Sequence, residues 1–345
     1  MVGTGLIGAS IALALRARGW HVTGHDHDPV RAEEARRRDV LDAVGHDPGA
    51  EITFVATPVS AVAGAARRAL AAGGVVTDVG SVKAPIVANV ASPRFVGGHP
   101  MAGSEQEGLQ GADAELFEGA TWVLTPTEDT DPAAFTRVRA VVSALGADVV
   151  AVTPERHDAL VALVSHVPHL TAATLMGLAA DGAEEHAALL RLAAGGFRDM
   201  TRIAAGHPGI WPDICTENRA AIVEAMDRLL AALSAMRHVV AAGDRAALLR
   251  TLEAARAART NLPAAVSRPD GLVEVRVPVP DRPGVLAEVT TLAGELSVNI
   301  ADLEIAHSVE GDRGVLLLVV DALEADRLRG ALVARGYRPF LQPLP

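Results

Sequence analysis

The first eight residues place the tightest limit on what this chain can fold into. Gly3-Thr4-Gly5-Leu6-Ile7-Gly8 is a G-x-G-x-x-G, and a helical pattern runs from it to Arg18 before Gly19 stops it. Glycines at that spacing let backbone N–H groups at a helix N-terminus come against a pyrophosphate. The signature is weak alone. It gains meaning from a strand before it, a helix after it and an acidic residue about 20 positions on. Trp20 to His25 reads as a strand, and Asp26 closes it eighteen residues beyond Gly8. A carboxylate there bonds a ribose 2′-hydroxyl and repels a 2′-phosphate, so the expected cofactor is NAD rather than NADP. The strand before the turn, normally the centre of such a sheet, is missing, because only Met1 and Val2 precede Gly3. Either the sheet is incomplete or translation starts upstream of Met1, and the second is the expectation.

Apolar Ile52 to Ala56 ends at Thr57-Pro58, and Gly74 to Val79 ends at Gly80-Ser81. These read as buried strands delivering turns to one edge, where parallel sheets bind ligands. Thr57 and Ser81 therefore join Gly3, Gly5, Leu6, Ile7, Gly8 and Asp26 in the predicted cofactor site. Phe95-Val96 leads into GGHPMAGSEQEG, Gly97 to Gly108, where His99 stands between two glycines and a proline. That setting is expected to stop both helix and strand and to present the imidazole. Histidine is a natural proton acceptor near neutral pH, with an unperturbed pKa of about 6.5. Ser104, Glu105, Gln106 and Glu107 follow it, and Gly80-Ser81-Val82-Lys83 lies upstream, which suggests a single cleft. Thr121 to Thr125, a helix from Pro132 to Leu145 and Asp148 to Val152 complete a doubly wound α/β domain over residues 1–152.

From 153 to 267 the pattern is helical, rich in alanine and leucine, with polar clusters at Glu155-Arg156-His157-Asp158, Ser165-His166-Val167-Pro168-His169 and Gly195 to Arg202. His166 and His169 have a spacing seen in metal sites, but the proline between them and the lack of a third ligand lead us to expect no metal. Arg198 and Arg202 suit bidentate carboxylate recognition. Asn218 to Val240 has little polar patterning, which predicts burial against a second copy and a homodimer. After a linker at Arg268 to Gly271, residues 271–345 read strand, helix, strand, strand, helix, strand, a ferredoxin-like α+β unit.

A chain of 345 residues is expected to form two or three domains. Its net charge of −11 argues against a nucleic-acid partner and for a small molecule. The single cysteine, Cys215, excludes an internal disulfide and fits a reducing cytoplasm. No apolar run reads as a signal peptide or as the roughly 20 residues a bilayer requires, so no membrane association is expected. Lys83 is the one lysine among 31 basic residues, which reads either as a place where arginine will not serve or as the chance survivor of a bias toward arginine.

In this order and spacing, GTGLIG, GSVK, GGHPMAGSE, ERHD, SHVPH and GGFRDMTRIA resemble the prephenate dehydrogenase family, and DRPGVLAEV with NIADLEI resembles its ACT regulatory domain. The resemblance covers nearly all of the chain; the short first strand departs from it. It implies NAD-dependent oxidative decarboxylation of prephenate to 4-hydroxyphenylpyruvate in tyrosine biosynthesis. By this resemblance His99 accepts the proton of the substrate's ring hydroxyl, and Ser81 bonds both His99 and the reacting groups. Arg202 holds the ring carboxylate, while His169, Ser165 and His166 orient the substrate, with Ser104 and Glu105 beside them. Asp158, Asp199 and Trp211 resemble supporting members. The alternatives are the same reaction on arogenate, another dehydrogenase of this plan, and a non-catalytic NAD-binding sensor. An aromatic amino acid is the implied effector, at Asp281, Pro283, Gly284 and Asn299 of the C-terminal unit.

Overall fold

Aliphatic residues at helical spacing explain α1 (Leu6–Ala17), whose Ala9, Ile11, Ala12, Ala14 and Leu15 are all buried. This computed structural model describes residues 1–103, 106, 108–185, 189–261, 272–280, 282–307 and 313–343. After α1 come β1 (Thr23–Gly24), α2 (Pro29–Arg37), β2 (Ala43–Val44), β3 (Ile52–Val55), α3 (Val59–Ala72), β4 (Val75–Asp78), α4 (Ala84–Val90) and β5 (Phe95–Pro100). β6 (Thr121–Thr125), α5 (Pro132–Ala144) and β7 (Asp148–Ala151) finish the alternation. β3 to β7 pair in sequence order, all parallel except the antiparallel β5–β6 pair, while β1 and β2 pair separately.

Val2 joins the two groups of strands, bridging His25 on one side and Val55 on the other. Its N–H bonds the Phe54 carbonyl at 2.9 Å, and the Gly3 N–H bonds that of His25 at 2.8 Å. Two residues thus hold the centre of the sheet, where its order reverses, so the glycine-rich turn opens at the switch point. The Met1 ammonium donates to the Thr23 carbonyl, and burial pushes its pKa down to about 6. The second strand is shorter than Trp20 to His25 suggested, because pairing with β2 is limited to Thr23–Ala43 and Gly24–Val44.

The expectation that no strand runs through His99 is corrected. β5 continues through Gly97, Gly98, His99 and Pro100, paired antiparallel to β6 with His99 opposite Val123. The glycines answer to crowding rather than to a turn. A Cβ at Gly97 would stand 2.3 Å from Thr125 Oγ1, and one at Gly98 2.6 Å from the Asp78 carbonyl oxygen.

α6 (Pro154–Val161), capped by Thr153, runs through a π turn, Ala162–His166, into α7 (Val167–Glu185). Pro168 has no N–H to return to Val164, and the widened turn accommodates its ring. The run Pro154–Gly182 is therefore one helix, long and apolar enough by length and composition to cross a bilayer, which corrects the reading that no such stretch exists. α8 (Gly195–Thr201), α9 (Trp211–Glu217) and α10 (Arg219–Ala241) pack around it. Val82, from the turn after β4, is buried among Ala162, Val167, Ile214, Ile222 and Ala225 of these helices. That joint core makes Met1–Gly243 one compact unit.

The second unit, Asp244–Pro345, holds α11 (Arg245–Thr260), β8 (Leu272–Pro280), α12 (Val285–Glu295), β9 (Ile300–His307), β10 (Arg313–Asp321), α13 (Ala322–Ala334) and β11 (Phe340–Pro343). Its antiparallel sheet has the order β11-β8-β10-β9, the ferredoxin-like arrangement. Val275, Val277, Leu316 and Leu318 alternate inward against Val289, Leu292, Leu328 and Leu332. The predicted linker at Arg268 to Gly271 and the hairpin turn at Glu310 to Asp312 lie outside the described residues.

Candidate active site

The glycine-rich turn is built for close approach. Gly3 has φ +91°, and a Cβ there would lie 2.3 Å from the Ala56 carbonyl oxygen; one on Gly8 would meet the Gly3 oxygen at 2.2 Å. Gly5 has open space where a side chain would be and caps α1 with no side-chain acceptor, so the first N–H groups of α1 have no side-chain cap. Asp26 accepts the Thr4 N–H at 2.8 Å, the Asp28 N–H at 3.0 Å and the Thr4 hydroxyl at 3.1 Å. Burial opposes its charge, but these hydrogen bonds outweigh burial and hold its pKa below the usual carboxylate range. Beside the turn, Thr57 Oγ1 is buried without a hydrogen-bond partner. An open helix N-terminus, an anionic carboxylate and an unpartnered hydroxyl fit a dinucleotide with a free ribose 2′-hydroxyl, which is NAD.

A 580 Å³ cleft joins this turn to the catalytic candidates. Gly5, Leu6, Ile7, Thr57, Ser81 and His99 line it from the sheet side, and Asp213 and Ile214 of α9 from the helical side. His99 reaches it from the end of β5, and its ring is held from behind. His99 Nδ1 lies 2.8 Å from His157 Nε2, and His157 Nδ1 lies 2.8 Å from Asp158 Oδ1. Asp158 in turn accepts the Lys83 and Ala84 N–H groups, both at 2.8 Å, and so caps α4 from another helix. The sequence resemblance gave the His99 contact to Ser81; the fold gives it to His157, and Ser81 faces the same cleft.

Beneath His99 lies a buried ion pair, Lys83 with Asp78. Lys83 Nζ also donates to the Gly98 carbonyl at 2.8 Å, and Asp78 accepts the Gly98 N–H at 3.1 Å and the Gly80 N–H at 2.9 Å. Burial lowers the Lys83 pKa against the pull of Asp78. The pair ties the end of β4, the Ser81 turn and the backbone before His99 into one frame. Burial, and then the neighbouring His157, Lys83 and His166, hold the His99 pKa well below 6.5. The ring is therefore neutral at pH 7, the state a base requires.

The remaining predicted substrate residues form a neighbouring cluster. His166 is buried, with Nδ1 3.2 Å from Asn218 Nδ2, whose amide also donates to the Asp158 carbonyl. His169 stacks on Trp211 at 3.7 Å, and Trp211 meets His166 edge-on. Ser165 is exposed on the π turn, Arg202 is exposed on the turn Arg202–Ala205 after α8, and Asp199 is exposed on α8. None of Ser165, His166, His169 and Arg202 lines the cleft described above. Ser104 and Glu105 lie outside the described residues. Sequence reading missed His157, Asp78 and Asn218 as parts of the site; the signal available was a His-Asp pair in the first turn of the helix opened by Thr153-Pro154.

A switch-point glycine turn fitted to NAD, opening on a cleft with a neutral histidine, defines an NAD-dependent oxidoreductase of the Rossmann plan with a helical second part. Residues 11–151 match the family model for the prephenate dehydrogenase nucleotide-binding domain, and 153–254 that for the prephenate dehydrogenase dimerization domain. The chain belongs to the prephenate dehydrogenase family. It is 34% identical over 337 residues to a prephenate dehydrogenase of Bacillus subtilis, covering 92% of this chain and 90% of that one. The structure of the Aquifex aeolicus prephenate dehydrogenase in complex with hydroxyphenyl propionate and NAD+ superposes with a TM-score of 0.71 at 29% identity, over 76% of this chain and 96% of that one. Synechocystis arogenate dehydrogenase gives a TM-score of 0.66 at 33% identity, over 75% and 97%. The dimerization model agrees with the homodimer expected from the helix Asn218 to Val240, on which Val223, Leu230 and Leu233 are exposed.

Proposed function

We propose that this chain oxidises and decarboxylates prephenate to 4-hydroxyphenylpyruvate, a step of tyrosine biosynthesis, in the cytoplasm. The observation that carries the reading is the neutral His99 ring lining the same cleft as the open N-terminus of α1. NAD, when bound, supplies the hydride acceptor. His99 takes the proton of the ring hydroxyl. Oxidation at the hydroxyl carbon leaves a dienone conjugated to the carbon that bears the carboxylate, so carbon dioxide departs and the ring becomes aromatic. Much of the driving force lies in the substrate, and the protein supplies a base, orientation and charge neutralisation. In this reading Ser81 bonds the reacting groups, Arg202 takes the ring carboxylate, and His169, Ser165 and His166 orient the substrate, with Ser104 and Glu105 beside them.

The ferredoxin-like unit is read as the site of feedback by an aromatic amino acid, tyrosine first. Gly284, at φ +89°, caps α12 with no side-chain acceptor, and Pro283 precedes it. Asn299 is exposed just before β9; Asp281 lies outside the described residues. Absorbance at the NADH wavelength, recorded with prephenate and in parallel with arogenate, tests the reading. Faster turnover of prephenate supports it, faster turnover of arogenate reassigns the substrate, and no reduction with either overturns it.

A further inference from the structure

We infer that His157, acting through His99, decides which ring nitrogen of His99 is free to accept a proton, with Asp158 as the fixed end of the chain. The inference rests on the proposed reaction, in which His99 is the base, and it names a positioning residue that the reading does not require. Hydrogen-bond arithmetic carries it. A carboxylate has only acceptors to offer, and both Asp158 oxygens already accept backbone N–H groups. At 2.8 Å from Asp158 Oδ1, His157 Nδ1 must therefore be the nitrogen that carries hydrogen. A neutral His157 is then left with a bare Nε2, which is an acceptor.

The contact between the two rings, 2.8 Å from His99 Nδ1 to His157 Nε2, needs one hydrogen between its nitrogens, and between two neutral rings, with His157 Nδ1–H given to Asp158, His99 supplies it. Neutral His99 is thereby fixed as the Nδ1–H tautomer. Its Nε2, at the end of the ring away from His157, is then bare, on a residue that lines the cleft. When the substrate O–H bond breaks, an Nε2–H bond forms there. The cation left on His99 then donates through Nδ1 to His157, which donates through Nδ1 to Asp158.

The rings meet edge to face, with centroids 5.1 Å apart and planes at 65°, so His99 cannot turn over without losing the contact. His157 and Asp158 are both buried, which keeps water from substituting for either link. Asp158 also caps α4, so its removal would confuse positioning with folding. His157 makes no such cap and is the residue to vary.

The test is ring 15N NMR of the full-length protein, together with steady-state kinetics. We expect wild-type His99 to show Nδ1–H and a bare Nε2. His157→Asn keeps a donor toward Asp158 but leaves His99 Nδ1 without an acceptor. It should lower kcat by about 100-fold or more, within the roughly 10²–10⁴ range of general-base catalysis, with KM for prephenate and affinity for NAD little changed. His157→Gln can place its amide oxygen where Nε2 stands and should recover kcat to within about tenfold of wild type. Nε2–H on wild-type His99, or an unchanged kcat in folded His157→Asn, overturns the inference. The wild-type tautomer stands as a readout if a variant fails to fold. It also separates the two readings: a protein inert toward prephenate but carrying Nδ1–H on His99 would sink the proposed reaction and leave the positioning role in place.

Discussion

Among the described residues, Met1–Gly243 buries twelve polar or charged side chains, including Asp78, Lys83, His157, Asp158, His166 and Asn218, whereas Asp244–Pro345 buries none. Buried polar groups cost free energy unless hydrogen bonds replace their water. In the first unit those six are bound to one another, to neighbouring backbone or, through His157, to His99. The cost is met where it holds the base and its turn in place. The second unit follows the opposite plan. Among the described residues, its sheet faces its helices through an apolar core made mostly of valine and leucine.

Lys83→Met is the largest challenge to that contrast, because it leaves Asp78 buried without its cation. Chemical denaturation should show a loss of about 3–5 kcal/mol, while the matching swap in the second unit, Leu328→Met, should cost less than about 1.5 kcal/mol. Similar values for the two would mean that the ion pair is not structural. Next comes His99→Asn. Turnover should fall about 100-fold or more, the scale of a lost general base, with NAD binding retained by calorimetry; wild-type turnover would remove His99 from the reaction.

Acid should separate the units by a smaller margin. Burial lowers the His166 pKa to about 4, against about 6.5 in the unfolded chain, so between those values the unfolded state binds the extra proton. The stability that neutral His166 contributes is therefore present above pH 6.5 and lost as pH falls toward 4, by about 1 to 3 kcal/mol. Thermal midpoints measured from pH 7 to 4.5 should show this slope, and His166→Gln should flatten it. The smallest expected effect on chemistry is none at all. Deleting residues 271–345 should leave turnover unchanged and abolish inhibition by tyrosine, whereas equal inhibition of the shortened and full chains would place tyrosine in the active-site cleft.

How far the sequence could be read follows from how local each feature is. The glycine turn, α1 and Asp26 lie within 26 residues and were legible as a unit. The ferredoxin-like order followed from strand alternation and two amphipathic helices. His99 was legible as a residue, but its secondary structure was not, because Gly97 and Gly98 look like a turn until Thr125 and Asp78 are seen crowding them. The link from His99 to His157 spans 58 positions and two parts of the fold. Neither periodicity nor spacing encodes it. Val2 as the meeting point of two strand groups was hidden for the same reason: one residue has no pattern.

The π turn Ala162–His166 makes the length of a helix part of the chemistry. At about 100° per residue in a regular α-helix, positions nine apart face opposite sides, yet His157 and His166 both turn inward, and Asn218 reaches the His166 ring and the carbonyl of Asp158. The wider turn supplies that phase correction. Val164, within it, is 68% exposed, so packing within the chain does not fix its side chain, whereas its place in the count is fixed. Removing that single residue would rotate all of α7 about its axis by about 100° and carry His166 and His169 away from Asn218 and Trp211. Here what packing within the chain specifies is a number of residues, independent of which amino acid fills the position.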